Sequence, residues 1–219
     1  MDSRRHFIKK TFLLFAGKGL LIGSLSTFVQ RAWAKTKRTI LPKNTKMSSL
    51  INRNPAYLDT SNLEVIPIKN FKTMGMADHK VNLKQWRLQV VGAVQNPLEL
   101  TYTQLLELPT IERNVLLICP GIFTNHGRWE GFSVMELLNM AGAEQGITQV
   151  SFRGPAGRHA KRKRFALNEI ASNKIFLAYK VNGKVLPGKH GFPLRLVAED
   201  HYGDEWVKYV HKIEFHRTK

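Results

Sequence analysis

Cys119 is the only cysteine of the chain, and it ends the apolar run Asn114-Val115-Leu116-Leu117-Ile118 directly before Pro120-Gly121. A single cysteine forbids any internal disulfide, and no Cys/His cluster has zinc-finger spacing, so the core alone must hold the fold. With 219 residues, 43% of them hydrophobic, the chain is long enough for one substantial core. The β-branched members of the run and its Pro-Gly ending predict a buried strand with Cys119 at its end. A lone cysteine in such a place is either a small buried hydrophobe or an activated thiolate, and residue type alone leaves both open.

The first 34 residues read differently from the rest. Ser3-Arg4-Arg5-His6-Phe7-Ile8-Lys9 is basic, Thr11 to Val29 is apolar with glycines, and Ala32-Trp33-Ala34 offers a small-x-small cleavage site. This pattern predicts an export signal over residues 1–34, similar to a twin-arginine signal, and hence a periplasmic protein. Retention as an N-terminal anchor is the alternative. The net charge is +18; the first 34 residues hold six Lys/Arg against one acid, so the remainder still carries +13. In an exported chain without a recognised reading motif, that charge does not point to nucleic acid. Much of it sits in Arg158-His159-Ala160-Lys161-Arg162-Lys163-Arg164, which follows Gly154-Pro155-Ala156-Gly157 and is expected to be an exposed loop, a candidate docking surface for an acidic partner.

Residues 35–80 have little periodic signal and are expected to form an extended arm, which residues 81–219 complete into a single domain. Trp86, Leu88 and Val90 alternate with polar residues as a half-buried strand, and Gln95-Asn96-Pro97 turns the chain into a short strand, Leu98 to Leu100. Thr101 with Gln104 forms a capping-box pattern for a short helix. Residues 122–132 are expected to be a loop, followed by a helix that Ser133 and Glu136 start and Gly142 closes. Gln149 to Arg153, Ile175 to Lys180 and Pro193 to Val197 are predicted strands, with Asn182-Gly183 as a hairpin turn. Trp206 to Phe215 reads as one last strand, with Trp206, Lys208 and Val210 on the face opposite Val207, Tyr209 and His211. Many short strands and few short helices, without regular βαβ alternation, predict an α+β domain around a mixed or barrel-like sheet.

Chemistry concentrates in three places: Cys119, the stretch Asn125-His126-Gly127-Arg128-Trp129-Glu130-Gly131, and the group Lys189-His190-Gly191-Phe192-Pro193-Leu194-Arg195. Cys119 needs either a base such as His126 or His190 as a nucleophile, or a soft or transition metal as a ligand. His190, Arg195 and Lys208 carry the natural donors for a phosphate or other anion.

In order along the chain stand L-x-x-C-P-G, then G-R-W-E-G before a helix ending in Ala-Gly, then V-N-G-K-V-L-P-x-K-H-G-F-P-L-R-L-V, then Y-G-x-x-W-V-K-Y-V-x-x-I-E-F. Together these resemble the molybdopterin-binding domain of the sulfite oxidase superfamily over about residues 65–216, and residues 86–102 are similar to that domain's entry. The resemblance implies a mixed α+β domain holding one molybdenum on one pyranopterin, with Cys119 as the metal's protein ligand. It makes His190 and Arg195 contacts of the cofactor, places Trp206, Val207 and Lys208 against its phosphate, and gives Asn70 and Phe71 a cofactor-contacting role. His126, Arg128 and Trp129 are expected in the substrate pocket.

A layout similar to the catalytic subunit of the periplasmic methionine-sulfoxide reductase system implies two-electron oxygen-atom transfer on a small S-oxide, N-oxide or oxyanion. Sulfite is disfavoured, because no arginine stands between Cys119 and Arg128. Without further cysteines or a C-x-x-C-H, electrons must pass to or from another protein, such as a membrane haem partner. The rival reading is a non-enzymatic anion-binding protein that keeps the fold without molybdenum.

Overall fold

A computed structural model of the chain describes residues 37–157 and 160–217. The signal expected over residues 1–34 lies outside them, as do Arg158 and His159 of the basic run. In chain order the strands are β1 (Thr39–Ile40), β2 (Leu58–Asp59), β3 (Leu88–Gly92), β4 (Leu98–Leu100), β5 (Thr110–Cys119), β6 (Phe123–Ser133), β7 (Ile147–Arg153), β8 (Arg162–Ala166), β9 (Ile175–Val181), β10 (Lys184–Val185), β11 (Arg195–Ala198) and β12 (Lys212–Arg217). The helices are α1 (Tyr102–Leu106), α2 (Val134–Ala141) and α3 (Leu167–Ala171). One sheet runs β10-β9-β6-β5 with β11 also on β9, and a second runs β4-β3-β12-β7-β8. Within the second, β12 pairs parallel with β3 and antiparallel with β7, so the sheet is mixed and the domain is α+β.

Local chemistry sets the ends of these elements. The Thr101 side chain accepts from the Gln104 backbone and Gln104 answers to the Thr101 backbone, closing a capping box at α1. Ser133 caps α2 by accepting from the Met135 amide, and Gly142 ends it. Asn182 and Gly183 both take positive φ, 51° and 73°, in the tight turn from β9 to β10.

Three expectations differ from the structure. Residues 122–132 are almost entirely strand: β6 pairs with β5 from Thr110↔Phe132 to Cys119↔Phe123. The basic run is not a loop beyond Lys161; Arg162–Ala166 is β8, hydrogen-bonded along β7. Its charges are spent locally, Arg162 on Glu214 at 3.2 Å and Lys163 on Glu205 at 2.7 Å. The last strand is broken: Tyr209 adopts φ 56°, so Trp206–Lys208 pairs with the start of β11 and only Lys212–Arg217 continues as β12 in the second sheet. Tyr209 and Val210 are both buried at the break.

The β5–β6 hairpin buries both faces, and its side chains alternate between them. Val115, Leu117, Cys119, Phe123 and Trp129 enter the main core. Leu116 and Ile118 point the other way and pack with Leu41, Leu50, Leu58 and Leu63 of the arm in a second core. The arm crosses the hairpin where the Ile66 amide donates to His126 O, and reaches the opposite face with Phe71 against Trp129, ring centroids 6.0 Å apart.

Candidate active site

Cys119 opens onto a cavity of about 370 Å³ lined from both sheets. The ends of β5 and β6 supply Leu117, Cys119 and Phe123, the β7–β8 turn supplies Gly154, Pro155 and Lys161, and the segment entering β12 supplies Trp206 and Lys208. Arg195, at the start of β11, lies against two indoles, its guanidinium carbon 5.4 Å from the Trp129 ring centroid and 5.2 Å from that of Trp206. It is 7% exposed and donates from Nη1 to His190 O at 3.0 Å, while its Nε has no partner. Two cation–π contacts and one hydrogen bond fix the guanidinium and leave donor capacity unspent.

A strap of the arm, Lys72 to Met76, closes one side of the cavity. Asn125 holds it as a two-pronged clasp, accepting from the Lys72 amide at 3.0 Å and donating to Lys72 O at 2.8 Å. The Lys208 ammonium donates to Thr73 Oγ1 at 3.1 Å, to Lys189 O at 3.2 Å and to Met76 O.

The electrostatics are one-sided. Among the described residues, Lys72, Lys161, Arg195 and Lys208 line the cavity against a single acid, Asp204, which is mostly exposed and turned toward Lys163 at 3.5 Å. Burial, with the neighbouring cations adding to it, pushes Lys161 and Lys208 down to about 8. Burial lowers Arg195 to about 10. Burial, then the charges of Arg195, Lys189 and Lys208, lower His190 to about 4, so it is neutral at pH 7 with an unpartnered Nε2. Burial pushes the Cys119 thiol up, Lys161 pulling the other way. Arg195 and Lys208 have no ion pair among the described residues, and buried cations without counter-charge call for an anion.

A pH dependence follows for the protein free of any cofactor. Lys161 and Lys208 ordinarily titrate at 10.5 and here near 8, so between those values the unfolded chain holds more protons than the folded one. Stability therefore rises with pH from about 8 to 10.5, by on the order of 1–3 kcal/mol, and Lys161→Gln flattens the rise. His190, near 4 instead of 6.5, works in the same direction, with stability falling as pH drops through 6.5 toward 4. Thermal melts across this range check both limbs; a flat alkaline limb refutes the buried-charge account.

The expected site residues divide sharply. Cys119, Arg195, Trp206 and Lys208 line the cavity, and Trp129 stands behind Arg195. His190 supports from below, edge-on to Phe71 with centroids 5.8 Å apart. Val207 is fully buried in the core beside them. His126 and Arg128 do not line the cavity, because period-two alternation puts both on the hairpin face opposite Cys119. His126 is buried with Nδ1 donating to Glu64 O at 3.0 Å, and Arg128 is half exposed and 3.5 Å from Glu112. Asn70 is exposed and Phe71 buried in the core, while the residues that follow them, Lys72 to Met76, are the ones that face the cavity. Asn125 and Lys161 went unrecognised; the parity shared by residues 119, 123 and 125 across the hairpin is the signal for Asn125.

The family model of the oxidoreductase molybdopterin binding domain matches residues 75–219. The chain belongs to this family. Its cofactor is therefore molybdopterin, and its fold and family agree with the resemblance to the sulfite oxidase superfamily. The domain is 28% identical to a nitrate reductase [NADH] of Volvox carteri over 177 residues, 67% of this chain and 20% of that protein. A nitrate reductase [NADH] of Solanum lycopersicum is 30% identical over 166 residues, 61% of this chain and 18% of that protein. The chain thus spans about a fifth of the length of these relatives. The crystal structure of the sulfane dehydrogenase SoxCD from Paracoccus pantotrophus superposes with a TM-score of 0.64 at 19% identity, over 93% of this chain and 57% of that one, and shares the fold.

The residues fit the cofactor. Uncompensated buried cations and the unpartnered Arg195 Nε and His190 Nε2 suit a phosphate. Among the described residues no group of three or more His, Cys, Asp or Glu is placed to hold a metal ion.

Proposed function

We propose that the protein is an exported, periplasmic molybdenum-dependent oxidoreductase with Cys119 Sγ as the metal's protein ligand. The carrying observation is the chain's one cysteine opening, at the end of β5, onto a cavity with four cationic side chains and one acid. When bound, molybdopterin with its molybdenum supplies the two-electron couple for moving one oxygen atom between substrate and water. The chain's own residues bind and orient. Arg195 through its free Nε and neutral His190 through its free Nε2 would meet the phosphate, Lys208 would add its charge, and Trp129 and Trp206 hold the guanidinium in place. The Asn125-clasped strap excludes water from that side.

The substrate range in this proposal is a small S-oxide, N-oxide or oxyanion, with reduction favoured over sulfite oxidation. The relatives named for nitrate reduction bring an oxyanion within that range. Electrons come from a separate redox protein, a membrane haem protein among the candidates. The signal expected over residues 1–34, with the arm and residues 81–219 forming one domain, is the export and domain arrangement of the same proposal.

The test is elemental analysis of the purified protein from a host able to make the cofactor. Near-stoichiometric molybdenum is the expected result, followed by turnover in a screen of S-oxides, N-oxides and sulfite with an artificial electron donor or acceptor. Metal-free protein from such a host would refute the oxidoreductase reading and leave an anion-binding protein.

A further inference from the structure

The strap differs from the other walls of the cavity in how it is held. Among the described residues, none of residues 72–80 makes a backbone–backbone hydrogen bond. The walls opposite are fixed by backbone, β5 to β6 and β11 to β9 by their ladders and the β7–β8 turn by Gly154 N donating to Lys161 O at 2.9 Å. Side chains hold the strap instead. Asn125 clasps Lys72 at one end. Thr73 Oγ1 donates to Lys189 O at 3.3 Å and accepts from Lys208. At the other end Lys208 Nζ and Tyr209 Oη both donate to Met76 O, the second at 3.3 Å, and the Tyr209 ring meets His79 with centroids 5.0 Å apart.

Successive side chains of a strand leave on opposite faces. The left-handed φ of 56° at Tyr209 breaks that alternation, and Lys208 and Tyr209 meet on one carbonyl. Costly backbone of this kind persists where its surroundings over-determine it. Between the two grips, Gly75 has φ 73° and no atom within 4 Å of where a Cβ would stand. A segment without ladder bonds, held by side chains and unpacked about a glycine, belongs to the part of a fold where local opening costs least.

We propose that residues 72–80 form a gate, latched by Lys208 and Tyr209 on Met76 O, through which the pterin cofactor enters the cavity. This deepens the oxidoreductase reading and rests on it. Lys208 serves both sides of the gate: the ammonium that grips Met76 O is also the charge offered to the cofactor's phosphate, so closure and phosphate binding converge on one side chain.

The experiment mixes full-length protein from a host unable to make the cofactor with molybdopterin, anaerobically, and follows uptake by the pterin fluorescence of the desalted, oxidised protein. Trypsin cleavage after Lys72, which needs the strap to leave its place, reports opening in parallel. Wild type is compared with Tyr209→Phe, Gly75→Ala and the surface variant Arg164→Gln. Tyr209→Phe deletes one latch hydroxyl, and Gly75→Ala penalises the positive φ of the closed strap without a clash. Each is expected to speed both cleavage and uptake by about fivefold, the scale of one neutral hydrogen bond or one left-handed residue. Arg164→Gln matches wild type. Wild type loaded with the cofactor is cut at least about tenfold more slowly than before loading.

Unchanged cleavage in Gly75→Ala, or in folded Tyr209→Phe, overturns the latch. Faster cleavage with unchanged uptake overturns the gate as the cofactor's entry. No uptake by a wild type that does carry molybdenum when made in a cofactor-competent host also overturns it. Absence of molybdenum even from that host is a different failure, that of the oxidoreductase reading, and the proposal falls with it.

Discussion

Cys119→Ser yields a folded protein with wild-type thermal stability to within about 1 kcal/mol and turnover at least about a thousandfold lower with any electron donor. The exchange removes one sulfur and adds one small oxygen at a position that is 7% exposed and borders the cavity, so the core loses little. Ligand chemistry changes far more. A coordinated thiol is deprotonated outright, and thiolate is the soft donor such a metal selects. A serine hydroxyl keeps its proton at neutral pH. Burial already raises the Cys119 thiol, so the free sulfur is not poised as a nucleophile, which supports the proposed ligation over a nucleophilic role. Elemental analysis and an artificial-dye assay, run together on the variant, separate loss of metal from loss of chemistry. Retention of wild-type turnover would remove Cys119 from the site.

Gly131→Ala destabilises the domain by about 4 kcal/mol or more, enough to leave little folded protein at 37 °C. Gly131 lies where β6 and β9 shift register, opposite Ala178 after Glu130 pairs with Lys180. A Cβ built there would stand 1.8 Å from Leu177 O and 2.7 Å from Ala178 Cα. Both obstacles are backbone of a fully buried strand, so no rotamer change relieves them, and the two strands must separate at the centre of the sheet that carries Cys119. Denaturant unfolding measures the loss. A change under about 1 kcal/mol would mean that the bulge can slide.

Much of the strand framework was legible because the chain punctuates it. The apolar run ending in Pro120-Gly121 delivered β5 with Cys119 at its end, and Thr101 with Gln104 delivered α1. β6 was hidden because its two faces are both covered. Polar residues such as Asn125 and His126 are satisfied by the arm, so no apolar alternation marks the strand. β8 was hidden by charge, since Arg162, Lys163 and Arg164 reach Glu214, Glu205 and Ser151 outside the core and their backbone still completes a ladder. The break at Tyr209 has no signature, because a tyrosine in the left-handed region is imposed by the two sheets it joins. Motif order was enough to single out Cys119, Arg195 and Lys208, which the fold brings to one cavity. Lys161 was not, because its inward turn depends on β7 and β8 pairing across a stretch that reads as a basic loop.

The two-faced hairpin has an evolutionary consequence. Along β5 and β6, positions that face the main core, with Leu117, Cys119 and Phe123 reaching the cavity, alternate with positions that face the arm, so change at the cavity wall can leave the layer beneath unchanged. Such drift has to proceed by replacement. A single-residue insertion or deletion in either strand would exchange the two sets, turning Leu116 and Ile118 toward the cofactor and Cys119 toward the leucines of the arm. Length in these two strands is therefore under tighter constraint than sequence, while the strap and the β7–β8 turn, which also border the cavity, are free of that register constraint.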